Sequence, residues 1–164
     1  MSSVACVFPG QGSQHPEMLQ TDLVDQSFIN EKIEIVSEIL SYDVHSILED
    51  ESKLNATSFT QPLLVLSSAI FSEAYKNLSL SDPKVIAGHS LGEYSALMFA
   101  DSITFEDTIK ITHLRGKLMQ SSEEGKMMAI LGLDSKIIDE VCSKITESNE
   151  KAYVASANYN SMKQ

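Results

Sequence analysis

Gly88-His89-Ser90-Leu91-Gly92 fits the G-x-S-x-G pattern in which a serine hydroxyl becomes an acyl acceptor. The pattern works where the chain turns sharply from a strand into a helix. The bend lifts Oγ above the sheet, side chains at the two flanking positions would collide, and the helix N-terminus favours developing negative charge. A Gly-Ser-Gly cluster can also be an ordinary turn, but a turn does not require a strand before it and a helix after it, and the flanking residues supply both. A second loop, Phe8-Pro9-Gly10-Gln11-Gly12-Ser13-Gln14, places glycine on each side of Gln11, so its backbone N–H groups can approach a ligand closely. Acyl transfer needs two donors aimed at the oxyanion, typically the N–H after the nucleophile and one from another loop at the same sheet edge. Leu91 and Gln11 are the natural pair. Judged alone, the loop could be a glycine-rich connector; a dinucleotide phosphate loop fits less well because G-x-G-x-x-G is absent. Arg115 is the only arginine among the twelve basic residues. Its guanidinium fork can hold a carboxylate through two parallel hydrogen bonds, which lysine cannot copy, so it points to a specific anion. The alternative is a surface salt bridge, which would be preferred without the other motifs.

These residues need a scaffold that brings them to one edge and around one shared cavity. Val4 to Phe8 reads as a buried strand stopped by the Pro9–Gln14 loop, and Lys84 to Ala87 as a second strand ending at Gly88. Helices are expected over Ile29 to Leu40, Thr60 to Leu78, Gly92 to Phe99 and Phe105 to Gln120, the last capped by Thr104. Beyond Gly125, Met128 to Leu133 reads as a strand, Ser135 to Thr146 as a helix and Tyr153 to Ala157 as a third strand, a β-α-β group that could form a separate small unit. Strands interleaved with helices imply an α/β layered fold with a mainly parallel sheet.

With 164 residues, 43% hydrophobic and 21% charged, the chain suits one ordinary globular domain. Its apolar runs are too short for a membrane-spanning helix, and no cationic leader precedes the first strand. That favours the cytoplasm, or an organelle matrix if a transit peptide precedes this sequence. A net charge of −11 opposes binding to nucleic acid or to anionic lipid. Cys6 and Cys142 have no metal-ligand or disulfide spacing and read as buried free thiols.

Taken together, these segments resemble malonyl-CoA:acyl-carrier-protein transacylases across the entire length of the chain. The resemblance is carried by FPGQGSQ at Phe8 to Gln14, TQPLL at Thr60 to Leu64, GHSLGEYSAL at Gly88 to Leu97 and the segment around Arg115. Gly125 to Gly132 and Ala157 to Ser161 match more loosely. Met128 departs from the family's usual alanine, and Met162-Lys163 from the usual Pro-Gly of bacterial members. The resemblance implies an α/β-hydrolase-like core over residues 1–124 and the start of a ferredoxin-like subdomain over 125–164, both incomplete. It also implies a ping-pong reaction without a cofactor: Ser90 takes malonyl from coenzyme A and yields it to the phosphopantetheine thiol of an acyl carrier protein, for fatty-acid synthesis. By the same resemblance, Gln11 and Leu91 form the oxyanion hole, Arg115 grips the malonyl carboxylate and Gln61 shapes the pocket.

The family's catalytic histidine lies downstream of Gln164, and His15, His45, His89 and His113 read as packing or surface residues, so the chain alone is expected to be weak or inactive. Two other readings stay open: a non-catalytic fragment or split-enzyme half that binds a partner chain through exposed sheet edges, and a small serine esterase using one of the four histidines. Carrier proteins and coenzyme A are anionic, so local lysines, with Lys110, Lys117 and Lys126 as candidates, would have to offset the chain's charge.

Overall fold

Two short apolar segments form the sheet of the computed structural model, which describes residues 4–122 and 130–148. β1 (Ala5–Phe8) and β2 (Val85–Gly88) pair in parallel with Ala5 opposite Val85 and Phe8 opposite Gly88. This register ends both strands at the same level, so the loops carrying Gln11 and Ser90 leave the sheet side by side. Parallel strands need a long crossover, and residues 9–84 supply it with four helices: α1 (Gln26–Leu40), α2 (Val44–Leu48), α3 (Glu51–Leu54) and α4 (Thr57–Asn77). After β2 come α5 (Gly92–Phe99), α6 (Phe105–Gln120) and α7 (Ser135–Ser148). The chain divides into two compact units, Met1–Glu123 and Glu124–Gln164.

In the first unit, α4 is the central element: twelve of its 21 residues are buried, among them Leu63, Val65, Leu66 and Ile70, all at 0% exposure. Each such side chain contributes ~1.5–3 kcal/mol relative to an exposed one. Around α4 pack Ile29, Ile33, Val36 and Leu40, on one face of α1 at helical spacing, and Ile109 of α6. The turns are held by local chemistry. Ser41 closes α1 at φ 53°, its N–H donating to Glu38 O while Tyr42 N donates to Ser37 O. Asp43 and Asp50 cap α2 and α3. Thr104 caps α6 as expected, its Oγ1 accepting from Asp107 N at 3.2 Å. In the second unit, α7 covers the expected Ser135 to Thr146 and leaves Ile137, Val141 and Ile145 exposed along one face.

Several expectations change. β1 stands where Val4 to Phe8 predicts a strand, but it is not buried: exposed and half-buried residues alternate, and Val7 is 76% exposed. A short apolar run fits a strand covered on both faces, whereas this strand has a described neighbour on one edge only. Ile130 to Leu133 form no strand; the rest of the expected Met128–Leu133 strand and all of Tyr153–Ala157 lie outside the described residues. Cys6 and Cys142 are free thiols but only half-buried. α2 and α3 are too short for periodicity to announce. Among the described residues, no helix is long and apolar enough to cross a membrane and no cluster of His, Cys, Asp or Glu could hold a metal ion.

Candidate functional site

Ser90 sits between β2 and α5 with φ 53°, a left-handed conformation rare for a residue other than glycine. Its neighbours hold it there. His89 N donates to Phe8 O at 3.0 Å, joining the two strand ends, and Gly92 N and Glu93 N donate to His89 O and Ser90 O to start the helix. The flanking glycines are required by space. A Cβ on Gly88 would lie 2.0 Å from the Gly92 carbonyl carbon, and one on Gly92 would lie 2.2 Å from Phe8 O, both rigid backbone. The motif is therefore a strand-to-helix elbow in backbone contact with the first loop, not a free turn.

That loop is ordered by its own glutamines. Gln14 Oε1 accepts from Gly12 N at 2.8 Å, while Gln14 Nε2 donates to Asn55 Oδ1 at 2.8 Å; Gln11 Nε2 donates to Thr57 Oγ1 at 3.2 Å. Gly10 abuts His89, since a Cβ there would come within 2.8 Å of His89 O and Nδ1. Among the described residues, neither the Gln11 N–H nor the Leu91 N–H donates a hydrogen bond. Leu91 is 1% exposed, and a buried N–H without an acceptor is unusual unless a ligand supplies one.

Arg115, on α6, reaches this elbow. Its Nη2 donates to Ser90 Oγ at 3.3 Å, its Nη1 donates to Gln61 Oε1 at 2.8 Å, and its guanidinium lies 5.9 Å from the Tyr94 ring centre. Gln61 is fully buried, and its Nε2 lies 3.2 Å from Met119 Sδ. None of the ion pairs between described residues (Lys32–Glu31, Lys53–Asp50 and Lys110–Asp107) includes Arg115. Its charge is held by neutral groups, which leaves it available to an anion; the surface salt bridge considered from the sequence does not describe it.

How Pro62, His113 and Gly116 bring α6 against α4 beside Arg115 was not read from sequence. Pro62 lies inside α4 and has no N–H to donate to the carbonyl four residues earlier, Ser58 O. His113 takes that carbonyl instead, Nδ1 to O at 2.9 Å; a carbonyl only accepts, so Nδ1 carries the proton. Gly116 lets α6 meet the same turn, since a Cβ there would lie 2.5 Å from Thr57 O. Proline at this position was the signal: it leaves a carbonyl that something else must satisfy.

One point runs against the sequence reading. A cavity of about 370 Å³ in the first unit is lined by β1, α4, Phe99 and the Ser13–Met18 segment, and not by Ser90, Gln11 or Arg115. Arg115 bonds Ser90 directly, while Gln11 sits in the loop whose Gly10 abuts His89 and bonds Thr57 instead. No described histidine ring bonds Ser90 Oγ, and the one ring hydrogen bond, from His113, goes to Ser58. Of the lysines proposed to offset charge, Lys110 pairs with Asp107 at 3.8 Å, Lys117 lies on the last turn of α6, and Lys126 is outside the described residues.

The chain is similar to known proteins in both sequence and fold. Residues 5–161 match the family model for the acyl transferase domain. The chain is 40% identical, over 98% of its length, to the malonyl CoA-acyl carrier protein transacylase of Haemophilus influenzae, of which it covers 53%. An acyl carrier protein S-malonyltransferase from Vibrio cholerae superposes with a TM-score of 0.79 at 41% identity, covering 89% of this chain and 49% of that one. A malonyl-transacylase solved in complex with its type II polyketide-synthase acyl carrier protein gives a TM-score of 0.77 at 37% identity, covering 90% and 49%. The chain spans about half the length of the curated relatives it matches.

Proposed function

The chain belongs to the acyl transferase domain family, and on that premise we propose that it carries the nucleophile half of a site moving malonyl from coenzyme A to an acyl carrier protein through an ester on Ser90. The observation that carries this is the Arg115 guanidinium, bonded at once to Ser90 Oγ and to the buried Gln61, with no carboxylate paired to it among the described residues. A malonyl group held at its carboxylate by Arg115 brings its thioester carbonyl toward Ser90. The Gln11 and Leu91 N–H groups then have their acceptor in the carbonyl oxygen as it gains charge. Attack by Ser90 Oγ expels the coenzyme A thiolate; attack by the carrier's phosphopantetheine thiolate on the ester returns Ser90 and completes the transfer. No cofactor takes part. The α/β-hydrolase-like core over residues 1–124 and the ferredoxin-like subdomain beginning at 125 are part of the same proposal.

A proton acceptor for Ser90 is the one group this reading still requires, because no described histidine is bonded to it. The 164-residue chain alone is accordingly expected to turn over slowly, by analogy about 10⁶-fold below a serine enzyme with its base in place. The test joins this sequence to the second half of the Haemophilus influenzae relative and measures malonyl transfer to a carrier thiol. Transfer with a malonyl ester mapped to Ser90, lost in Ser90→Ala, is the expected result; an ester on another residue, or transfer surviving Ser90→Ala, refutes the assignment. Fast turnover by the 164-residue chain alone would show that the base lies within it.

A further inference from the structure

Gln61 enters the site from α4 and touches two side chains of α6 at once. Its Oε1 accepts from Arg115 Nη1 at 2.8 Å, and its Nε2 donates to Met119 Sδ at 3.2 Å. Arg115 and Met119 stand four positions apart on one face of the helix, so a single amide reaches both. The two contacts select the same amide orientation. A guanidinium only donates and a thioether only accepts, so the oxygen faces Arg115 and the nitrogen faces Met119; the flipped amide would set NH₂ against the guanidinium and oxygen against sulfur. Gln61 is fully buried, so loss of the sulfur would leave its Nε2 without the acceptor it has among the described residues, a cost an exposed donor would not incur. Met119 itself is 46% exposed and stands outside the core cluster.

We infer that Met119 is a positioning residue for acyl selectivity: its thioether holds the Gln61 amide in the orientation that fixes Arg115 beside Ser90, and leaves the guanidinium charge to the acyl carboxylate. The inference rests on the malonyl reading above and adds a residue to that site. The side chain at this position has to accept a hydrogen bond from Gln61, which an aliphatic residue cannot do. It also has to be neutral, because a carboxylate four residues from Arg115 on the same face would pair with it and occupy the fork a substrate carboxylate needs. A hydroxyl could donate as well as accept, and so would tolerate the flipped amide. The thioether is an acceptor, carries no charge and has no proton to give. It acts on Arg115 only through Gln61, and Arg115 in turn reaches Ser90 Oγ at 3.3 Å.

The first measurement uses the chain itself. Nuclear magnetic resonance of the Gln61 side-chain amide, assigned by its absence in Gln61→Leu, should show an Nε2 hydrogen protected from exchange with solvent. Met119→Leu should speed that exchange about 3–10-fold, the worth of one neutral hydrogen bond, and Met119→Gln, whose side-chain oxygen can accept, should restore the protection. The second measurement uses the joined polypeptide. Its malonyl-over-acetyl rate ratio should fall about 3–10-fold in Met119→Leu, through a higher KM for malonyl-CoA, and recover in Met119→Gln. In a Gln61→Leu background Met119→Leu should add no further loss, because the contact it removes is already gone. Exchange and ratio unchanged in Met119→Leu, equal defects in Met119→Leu and Met119→Gln, or losses that simply add in the double variant overturn the inference. If transfer maps to Ser90 and Met119→Leu leaves the ratio as it was, the acyl reading stands and the positioning role falls. If the joined polypeptide transfers no malonyl, or transfers it after Ser90→Ala, the acyl reading falls; exchange that depends on Met119 then still upholds its hold on Gln61, and exchange indifferent to Met119 overturns it.

Discussion

A guanidinium held by two neutral acceptors is poised for a third partner, and this governs what Arg115 should do. In Arg115→Ala a malonyl carboxylate loses its partner while an acetyl group loses nothing, so malonyl-over-acetyl preference in the joined polypeptide should fall by ~10–100-fold, the cost of one unpaired charged group. Arg115→Lys should rescue only part of it, because an ammonium cannot hold Gln61 and a carboxylate in one plane. An unchanged rate ratio would assign Arg115 to something other than the acyl carboxylate. His113 acts one step away. In His113→Leu the Ser58 carbonyl, which Pro62 cannot satisfy, is left without a donor in a buried turn, and the chain should lose ~1–3 kcal/mol in urea denaturation. Equal stability of variant and parent would mean that water or another group takes that carbonyl.

At the level of elements, the loop and helix ends are held by charges with a defined pH response. Asp50 accepts from Ser52 Oγ at 2.6 Å, from Ser52 N and Lys53 N, and pairs with Lys53 Nζ at 3.0 Å. These bonds, the Ser52 hydroxyl first, hold its carboxyl well below the usual range, and the Ser46 hydroxyl does the same for Asp43. A lowered folded value means that the caps contribute in full above the unfolded carboxyl value of about 3.9 and lose that contribution as pH falls toward the folded value. Melting temperature should therefore decline on acidification through this window, and less steeply in Asp43→Asn/Asp50→Asn, which keeps a capping oxygen but not the titration. Identical pH profiles would show that other carboxylates govern the acid limb. Of the elements themselves, α5 and α6 lie within the bounds their patterns predict, because capping and helical periodicity are local. The strand beyond Gly125 had only an apolar run behind it, and Ile130–Leu133 form none.

For the whole molecule, charge and extent matter most. Under the proposed function the chain, at −11, would meet substrates that are themselves anionic, so raising ionic strength from a low value should lower the KM of the joined polypeptide for the carrier protein as repulsion is screened. A KM that rises with salt would reveal a basic docking patch that the described lysines do not make evident.

Residue order alone determined the elbow at Ser90, the glycine loop around Gln11 and the singular arginine, since each depends on a few adjacent residues with fixed steric or charge requirements. It also determined a parallel α/β arrangement, because long helical crossovers force that topology. Tertiary structure decided the rest: that Arg115 bonds Ser90 across 25 positions of chain, that Pro62 frees a carbonyl for His113, that the cavity lies beside β1 and away from Ser90, and that β1 has an uncovered face. These depend on distances between segments far apart in the chain, which packing sets and which no local pattern of side chains encodes.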